Sequence, residues 1–429
     1  MKPETLQSAD DRNRDRQTPI VDRLTRDQWM VLIAAFFGWL FDGFEIGLFP
    51  VIARPALKDM FGAGGDAFAG DWMGRITAAF LVGAALGGAV FGWLGDRLGR
   101  VRALTLSILT YSIFSGAGYF AHAPWHLALF RFLAAIGMGG EWAVGVALVM
   151  ECWPNKHRPW LAGIIGAAAN VGIFLVAFVA RIFPVTPSSW RWMFLVGASP
   201  ALLTFLIRLF VPESEKWKAA VSSGKSKPMT EIFSPLMRKR TLIGIGLASI
   251  ALIGTWGSVQ WIPLWTDQIT GGKLPDAKAN AQMFSAIGAV VGCLIAPIIG
   301  GFLSRRGGFF TLSLSSLVVC AILFRGFTTY STEFLWVVGL TGCTTAAFYG
   351  WFPLYFPELF PTRIRATGQG VCYNFGRIIA AVGVMMSGQL VRLFGGDYAR
   401  MGSIITLIYL VGMLVIWFAP ETKGKPLPD

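Results

Sequence analysis

Five charged residues sit deep inside long apolar runs of this chain: Asp42, Glu45, Arg131, Glu141 and Arg377. A charge in such a run is costly unless it is paired or used, so each is a candidate for chemistry. Asp42 and Glu45 stand at i and i+3, which puts both carboxylates on one face of a helix. Counted from the ends of their runs at 1.5 Å per residue, Glu45 and Arg131 reach nearly the same depth, so an ion pair between them is expected. Asp42 lies about a turn deeper. Glu141 is ten positions beyond Arg131 and is expected to face a central cavity, with a hydrogen-bonded contact between helices as the other reading. Arg377 lies 14 residues past Arg363, roughly 20 Å into its run, too deep to reach water comfortably. No acid is near it in sequence. A guanidinium suits a carboxylate bidentately, so Arg377 is expected to anchor a substrate carboxylate, with Asn374 one turn away. Pairing of Arg377 with Glu141 or Asp42 across the cavity is the competing reading. Gln260 and Tyr349 are the expected lining residues in two segments rich in aromatics.

The elements that must position these groups are membrane-length helices. The chain has 429 residues, of which 54% are hydrophobic and 14% charged, and its mean hydropathy is +0.58. Soluble domains carry about 25% charged residues. Runs of this length satisfy their backbone in lipid as helices, and they are too uniformly apolar for barrel strands. The expected fold is an all-α polytopic membrane protein of twelve spans. These run over roughly 29–53, 72–95, 102–121, 125–150, 160–183, 191–211, 240–266, 280–303, 309–329, 333–355, 364–391 and 398–419. Residues 1–28 read as a polar tail, 29–211 as one six-helix bundle, 212–239 as a basic linker, 240–419 as a second bundle and 420–429 as a tail.

Charge fixes the expected orientation. The net charge is +13, and Lys and Arg gather on one side: the first tail, Arg97 to Arg102, Lys156 and Arg158, the linker, Arg305 and Arg306, Arg363 and Arg365, and the last tail. The turns on the other side, Ala121–Trp125 and Pro184–Trp190, hold none, and the loop between the first two spans, on that same side, carries Asp59, Asp66 and Asp71. The excess of cations on cytoplasmic loops then places both termini in the cytoplasm. No basic face remains for nucleic acid. The polar start is too long for a cleaved leader. The five cysteines show no metal spacing, and free thiols are expected with no cofactor. No nucleophile–base set argues for an enzyme.

Three features recur at nearly one offset. Glu151-x-x-Pro154-x-x-x-Arg158-x-x-x-x-Gly163 returns as Glu358-x-x-Pro361-x-x-x-Arg365-x-x-x-x-Gly370, 207 residues on; Pro212-Glu213-Ser214 returns as Pro420-Glu421-Thr422, 208 on; and the basic turn from Gly92 returns in worn form from Gly301, 209 on. That last offset sets Arg305 in the place of Asp96, so the second copy lacks the acid. The chain is a duplicated six-helix unit, which places a substrate site between its halves near the midplane.

These motifs carry a resemblance. Gly92…Gly95-Asp96-Arg97-x-Gly99-Arg100 resembles the loop 2–3 signature of the major facilitator superfamily. The Pro-Glu-Ser and Pro-Glu-Thr-Lys-Gly ends resemble its sugar porters. Arg131 to Trp142, and Pro357 to Gly368, resemble its sialate/lactate-type and related metabolite:proton symporters. The resemblance implies the two-bundle facilitator fold, working as a monomer, and a cytoplasmic latch of Asp96, Arg97, Arg100, Glu151, Arg158, Arg306, Glu358 and Arg365. In that latch Glu151/Arg158 and Glu358/Arg365 would be matching pairs. It also implies that the acid at Glu45 carries a proton beside Arg131; Asp42 is the alternative. The function implied is proton-coupled symport of a small organic anion (a monocarboxylate, sugar acid or aromatic acid) across a bacterial inner membrane. Substrate, protons and the lipid bilayer would be its partners. A neutral sugar or polyol porter, a proton-driven exporter and, distantly, a nutrient sensor are the alternatives.

Overall fold

The structure is a computed structural model. It describes residues 25–62, 65–183, 185–222, 227–271, 273–274 and 277–428, so the tail expected over 1–28 lies almost wholly outside the described residues. The first half holds α1 (Arg26–Phe61), α2 (Gly65–Leu98), α3 (Arg100–Ala117), α4 (Pro124–Cys152) and α5 (Arg158–Ile182). Its sixth span is broken at Ser199-Pro200 into α6 (Trp192–Ala198) and α7 (Ala201–Phe210). The linker carries α8 (Glu215–Ser222) and the short α9 (Pro228–Glu231). The second half repeats the plan: α10 (Arg238–Gly257) with α11 (Ile262–Thr270), α12 (Ala277–Phe302), α13 (Arg305–Gly326), α14 (Thr332–Leu359), α15 (Arg365–Leu393), and α16 (Tyr398–Ile405) with α17 (Ile408–Val415). Among the described residues, nine helical segments are long and apolar enough to cross a membrane. The interrupted sixth span, the Pro-containing α14 and α15 complete the twelve-helix plan.

Helix starts follow local chemistry. Thr25 caps α1 in a reciprocal box with Gln28. Pro124 and Pro159 occupy first-turn positions of α4 and α5, where a missing N–H costs nothing. One expectation fails: the first external turn is mostly helix. Ile52, Ala53 and Ala56 keep the apolar face going past the expected end of the span and bury in one cluster with Ile76, Leu127, Trp190 and Phe194. Asp59 then takes bonds from Arg191 at 2.7 Å and from the Trp190 indole at 3.1 Å. Partial burial works against the charge, but these donors hold the Asp59 carboxyl below its ordinary value.

Close helix pairs are built on glycine. In the first half α2 meets α4 where a Cβ at Gly87 would lie 1.9 Å from the Ile136 carbonyl, and one at Gly139 would lie 1.9 Å from the Ala84 carbonyl. In the second half α12 meets α14 in the same way: a Cβ at Gly292 would lie 1.8 Å from the Cys343 carbonyl. Lipid supplies no hydrophobic drive between helices, so this close van der Waals approach is what holds them. Outward faces carry exposed apolar residues such as Val82, Leu86 and Val90 on α2, and Ile287, Val291 and Leu294 on α12. The halves meet where α2 lies on α15 and α5 on α12. We predict that Gly292→Val lowers the melting temperature of the detergent-purified protein by several degrees, because backbone must shift by more than a side chain can absorb. Gly326→Ala, with nothing within 4 Å, leaves it unchanged.

Candidate functional site

A latch closes one end of the interface between the halves. Glu151, at the end of α4, is buried and accepts from Arg100 Nη2 at 2.9 Å and from Arg365 Nη1 at 2.9 Å. Arg365 opens α15, so this pair crosses between the halves. Asp96 crosses too: its carboxylate takes the backbone N–H groups of Ala366 at 3.2 Å and Thr367 at 2.8 Å, at the positive N-terminus of α15. Arg100 Nη2 also reaches the Thr362 carbonyl at 2.7 Å. The last tail joins in. Leu427 is buried, and the Pro428 carbonyl accepts from Arg365 Nη2 at 2.6 Å.

The two copies repeat the same core of hydrogen bonds around their cation. Arg100 bonds Gly95 O at 2.8 Å and Glu151, while Arg305 bonds Gly300 O at 2.7 Å and Glu358. Glu213 caps the backbone of Arg100 and Val101, and Glu421 that of Arg305 and Arg306. Ser214 and Thr422 each donate to their Glu at 2.6 Å. Those backbone donors outweigh partial burial and hold the Glu421 carboxyl below its ordinary value, so its support of the α13 start is present at neutral pH and is lost as acid protonates it. The first copy bends at Gly99, whose φ of 107° suits glycine; a Cβ there would fall 2.3 Å from Glu213.

Several expected latch assignments change. The true counterpart of Arg305 is Arg100, 205 residues earlier, so Gly301 and not Arg305 stands where Asp96 stands. The second copy does lack the acid, by substitution with glycine. Glu151 does not pair with Arg158, nor Glu358 with Arg365. Glu358 holds Arg305 at 2.7 Å, and Arg158 bonds Asn155, with no carboxylate in ion-pair range among the described residues. Of Arg158 and Arg365, only Arg365 crosses among the described residues, to Glu151 of the other half. Arg97 is exposed and lies over the Trp93 ring, outside the latch. Arg306 bonds the Ala419 carbonyl at 2.7 Å and, among the described residues, crosses to nothing in the first half.

Beyond the latch, a central cavity lies between the halves, with about 950 Å³ of unfilled space, part of it open to solvent. Trp39 of α1 and Asn170 of α5 line one side; Trp256, Gln260 and Gln282 line the other. Tyr349, Tyr373 and Arg377 reach in from α14 and α15. Arg377 is the one charged residue on this wall among the described residues. Its guanidinium lies 4.9 Å from the Tyr373 ring centroid and donates to Asn374 Oδ1 at 2.9 Å. No carboxylate lies within ion-pair distance of it among the described residues. Asn374 itself does not line the cavity. Its amide sits in the notch left by Gly88 and donates to Gly139 O and Gly370 O, both at 3.0 Å, tying α15 to α4 while it orients Arg377.

Glu45 and Arg131 meet as their depths imply. One guanidinium nitrogen pairs with the carboxylate, and another bonds the Glu45 carbonyl at 3.0 Å. Ser115 donates to the free oxygen at 2.8 Å. Glu141 does not face the cavity as expected: the phase of α4 turns it onto Gly38 and Asp42 of α1, while its neighbour Trp142 stacks on Tyr373 at 4.4 Å. Sequence reasoning passed over Tyr373, although it begins the motif that ends in Arg377. It also passed over Gln282, which carries no distinguishing signal.

With this geometry in view, the comparisons decide the family. A profile of the Major Facilitator Superfamily matches residues 31–384. The chain belongs to that superfamily. It is an integral membrane transporter. A probable 4-methylmuconolactone transporter of Cupriavidus pinatubonensis is 30% identical over 91% of this chain and 90% of its own length. The cis,cis-muconate transport protein of Acinetobacter baylyi is 27% identical over 82% and 86%. A solved structure of the proton:xylose symporter XylE shares the fold with a TM-score of 0.80 at 19% identity, covering 94% of this chain and 98% of that one.

Removing one member of a buried ion pair strands its partners at a cost of about 3–5 kcal/mol. We therefore expect Glu151→Gln to open the latch at least a hundredfold more often. Spin labels on the latch ends of α2 and α15 should then show a broadened, longer distance distribution. Leu427→Asp, which seats a charge in an apolar niche, should shift the same distribution in the same direction by a smaller amount.

Proposed function

We propose that the protein is a proton-coupled symporter of a small organic anion, working by alternating access in a bacterial inner membrane with both termini in the cytoplasm. The observation that carries this reading is Arg377: a buried guanidinium on the cavity wall, held in place by Asn374 and Tyr373, with no carboxylate paired to it among the described residues. A desolvated cation of this kind takes an anion, and its fork favours a carboxylate. Relatives named for 4-methylmuconolactone and cis,cis-muconate support a carboxylic acid or related metabolite as cargo. Trp39, Trp256 and Tyr349 offer apolar walls to the body of such a molecule, and Gln260 and Gln282 offer hydrogen bonds to its polar substituents.

In this reading the latch end faces the cytoplasm, where cations concentrate, and the described state is closed there. Asp96, Arg100, Glu151 and Arg365 hold that closure; Arg305 and Glu358 brace the second half. Opening inward requires the crossing bonds of Asp96 and Glu151 to break together. The proton travels on a buried acid of α1, Glu45 beside Arg131 or Asp42 beside Glu141.

Proteoliposomes loaded with a pH indicator test the proposal against a panel of organic acids and sugars. One or more organic acids should drive proton uptake, sugars should not, and Arg377→Ala should abolish the signal. Arg377→Lys keeps the charge but loses the fork, and apparent affinity should fall about 10- to 100-fold. Sugar-driven uptake that survives Arg377→Ala sinks the anion reading.

A further inference from the structure

The two acidic sites of the first half differ in what surrounds them. Glu45 is fully answered: Arg131 holds one carboxylate oxygen and the carbonyl of the same residue, and Ser115 holds the other oxygen. Asp42 and Glu141 are not. They are 0% and 2% exposed, and among the described residues no N–H or O–H donor reaches any of their four carboxyl oxygens. Glu141 lies against α1 at Gly38, and the Asp42 side chain leans back over that same turn, so the two carboxyls converge. The fit is built in: Gly38, one turn before Asp42 on α1, leaves the space that Glu141 fills, and a Cβ there would lie 1.8 Å from Glu141 Oε1.

Two carboxyl groups in contact in a buried site cannot both be charged, and two bare carboxylates have no proton with which to bond. The contact is stable only with a proton on one of them. The groups that act on the pair come from three elements. Glu45 lies on the same helix. From α3 comes the Tyr111 hydroxyl, which is buried with no hydrogen-bond partner among the described residues and is coupled electrostatically to both acids. From α15 come Arg377 and Tyr373. Arg377 is therefore both the proposed anion anchor and the cation whose field falls on Asp42.

We infer that Asp42 and Glu141 share one exchangeable proton, and that this pair, not Glu45, loads the proton that travels with the substrate. The inference rests on the anion reading of Arg377 and gives it a coupling rule. With the cavity empty, the shared proton holds the pair together and the field of Arg377 favours a charge on the other carboxylate. When a substrate carboxylate sits on Arg377, that field is neutralised and the pair takes up a second proton. One anion and one proton then bind together, and the loaded site carries no added charge. Glu45 and Arg131 remain a fixed tie between α1 and α4.

Proton uptake on substrate binding, measured with a pH indicator in weakly buffered detergent solution using the organic acid selected by the transport panel, tests this. Wild type should take up close to one proton per anion bound, and the Asp42→Asn, Glu141→Gln double variant should take up less than a fifth of that. Full uptake in the double variant overturns the inference, as does loss of uptake in Glu45→Gln with retention in the double variant. Infrared difference spectra across a pH titration test the pair without any substrate. A protonated-carboxyl band present in wild type should vanish in the double variant and persist in Arg377→Ala. Absence of any such band in wild type overturns the shared proton. Failure of every organic acid to bind, with the band intact, overturns only the anion reading of Arg377.

Discussion

A charge removed from water must be met by an opposite charge or by donors aimed at it, and this protein buries many. The Glu151 carboxylate is the centre of that constraint. It takes Arg100 from its own half, Arg365 from the other, and the Ser214 hydroxyl from the linker. Desolvating three charges costs several kcal/mol each, and only near-complete pairing returns it. The network is therefore all-or-none, which suits a gate: half-open arrangements leave bare charges in a dry site and are sparsely populated.

Around that carboxylate the duplicated halves show what repetition gives and what it withholds. Each half repeats one local device: an arginine at a helix start, clamped to a Glu at the end of the following helix, capped by a Glu of the Pro-Glu motif and steadied by a hydroxyl. The halves then diverge in what crosses the interface. Asp96 reaches the start of α15, whereas Gly301 has no side chain to reach α5. Arg365 finds Glu151, while Arg158 turns to Asn155. One device braces each bundle, and at the latch end a separate, asymmetric set of bonds joins them.

The cavity obeys the same constraint in the opposite sense. Arg377 is oriented by Asn374, which in turn is anchored to α4, so the position of the proposed anion anchor is set by the packing of α15 on the first half. Movement of the halves about this contact would change the anchor and the Asp42–Glu141 pair together, since Glu141 and Gly139 belong to one helix. The proposed coupling between anion, proton and gate needs no long-range wire, because α4 carries Glu141 and Glu151 and its Gly139 carbonyl anchors Asn374, which orients Arg377.

Residue type and spacing alone determined that this chain crosses a membrane many times, that it is a doubled unit, and which charges are buried. Hydropathy, helical rise and sequence repeats are local properties that a linear string records in full. Depth counting also brought Glu45 to Arg131, because antiparallel neighbours of known length leave one free variable. Partner choice needed the tertiary structure. Glu151 and Arg365 are 214 positions apart and meet only because the two halves pack against each other. The counterpart of Asp96 was misplaced because turn lengths differ between copies, and only the shared hydrogen bonds of Arg100 and Arg305 fix the register. Glu141 faces Asp42 and not the cavity because rotation of α4 about its axis is set by glycine-sized notches on α1 and α2. Packing of that kind depends on which surfaces meet, and no single helix encodes it.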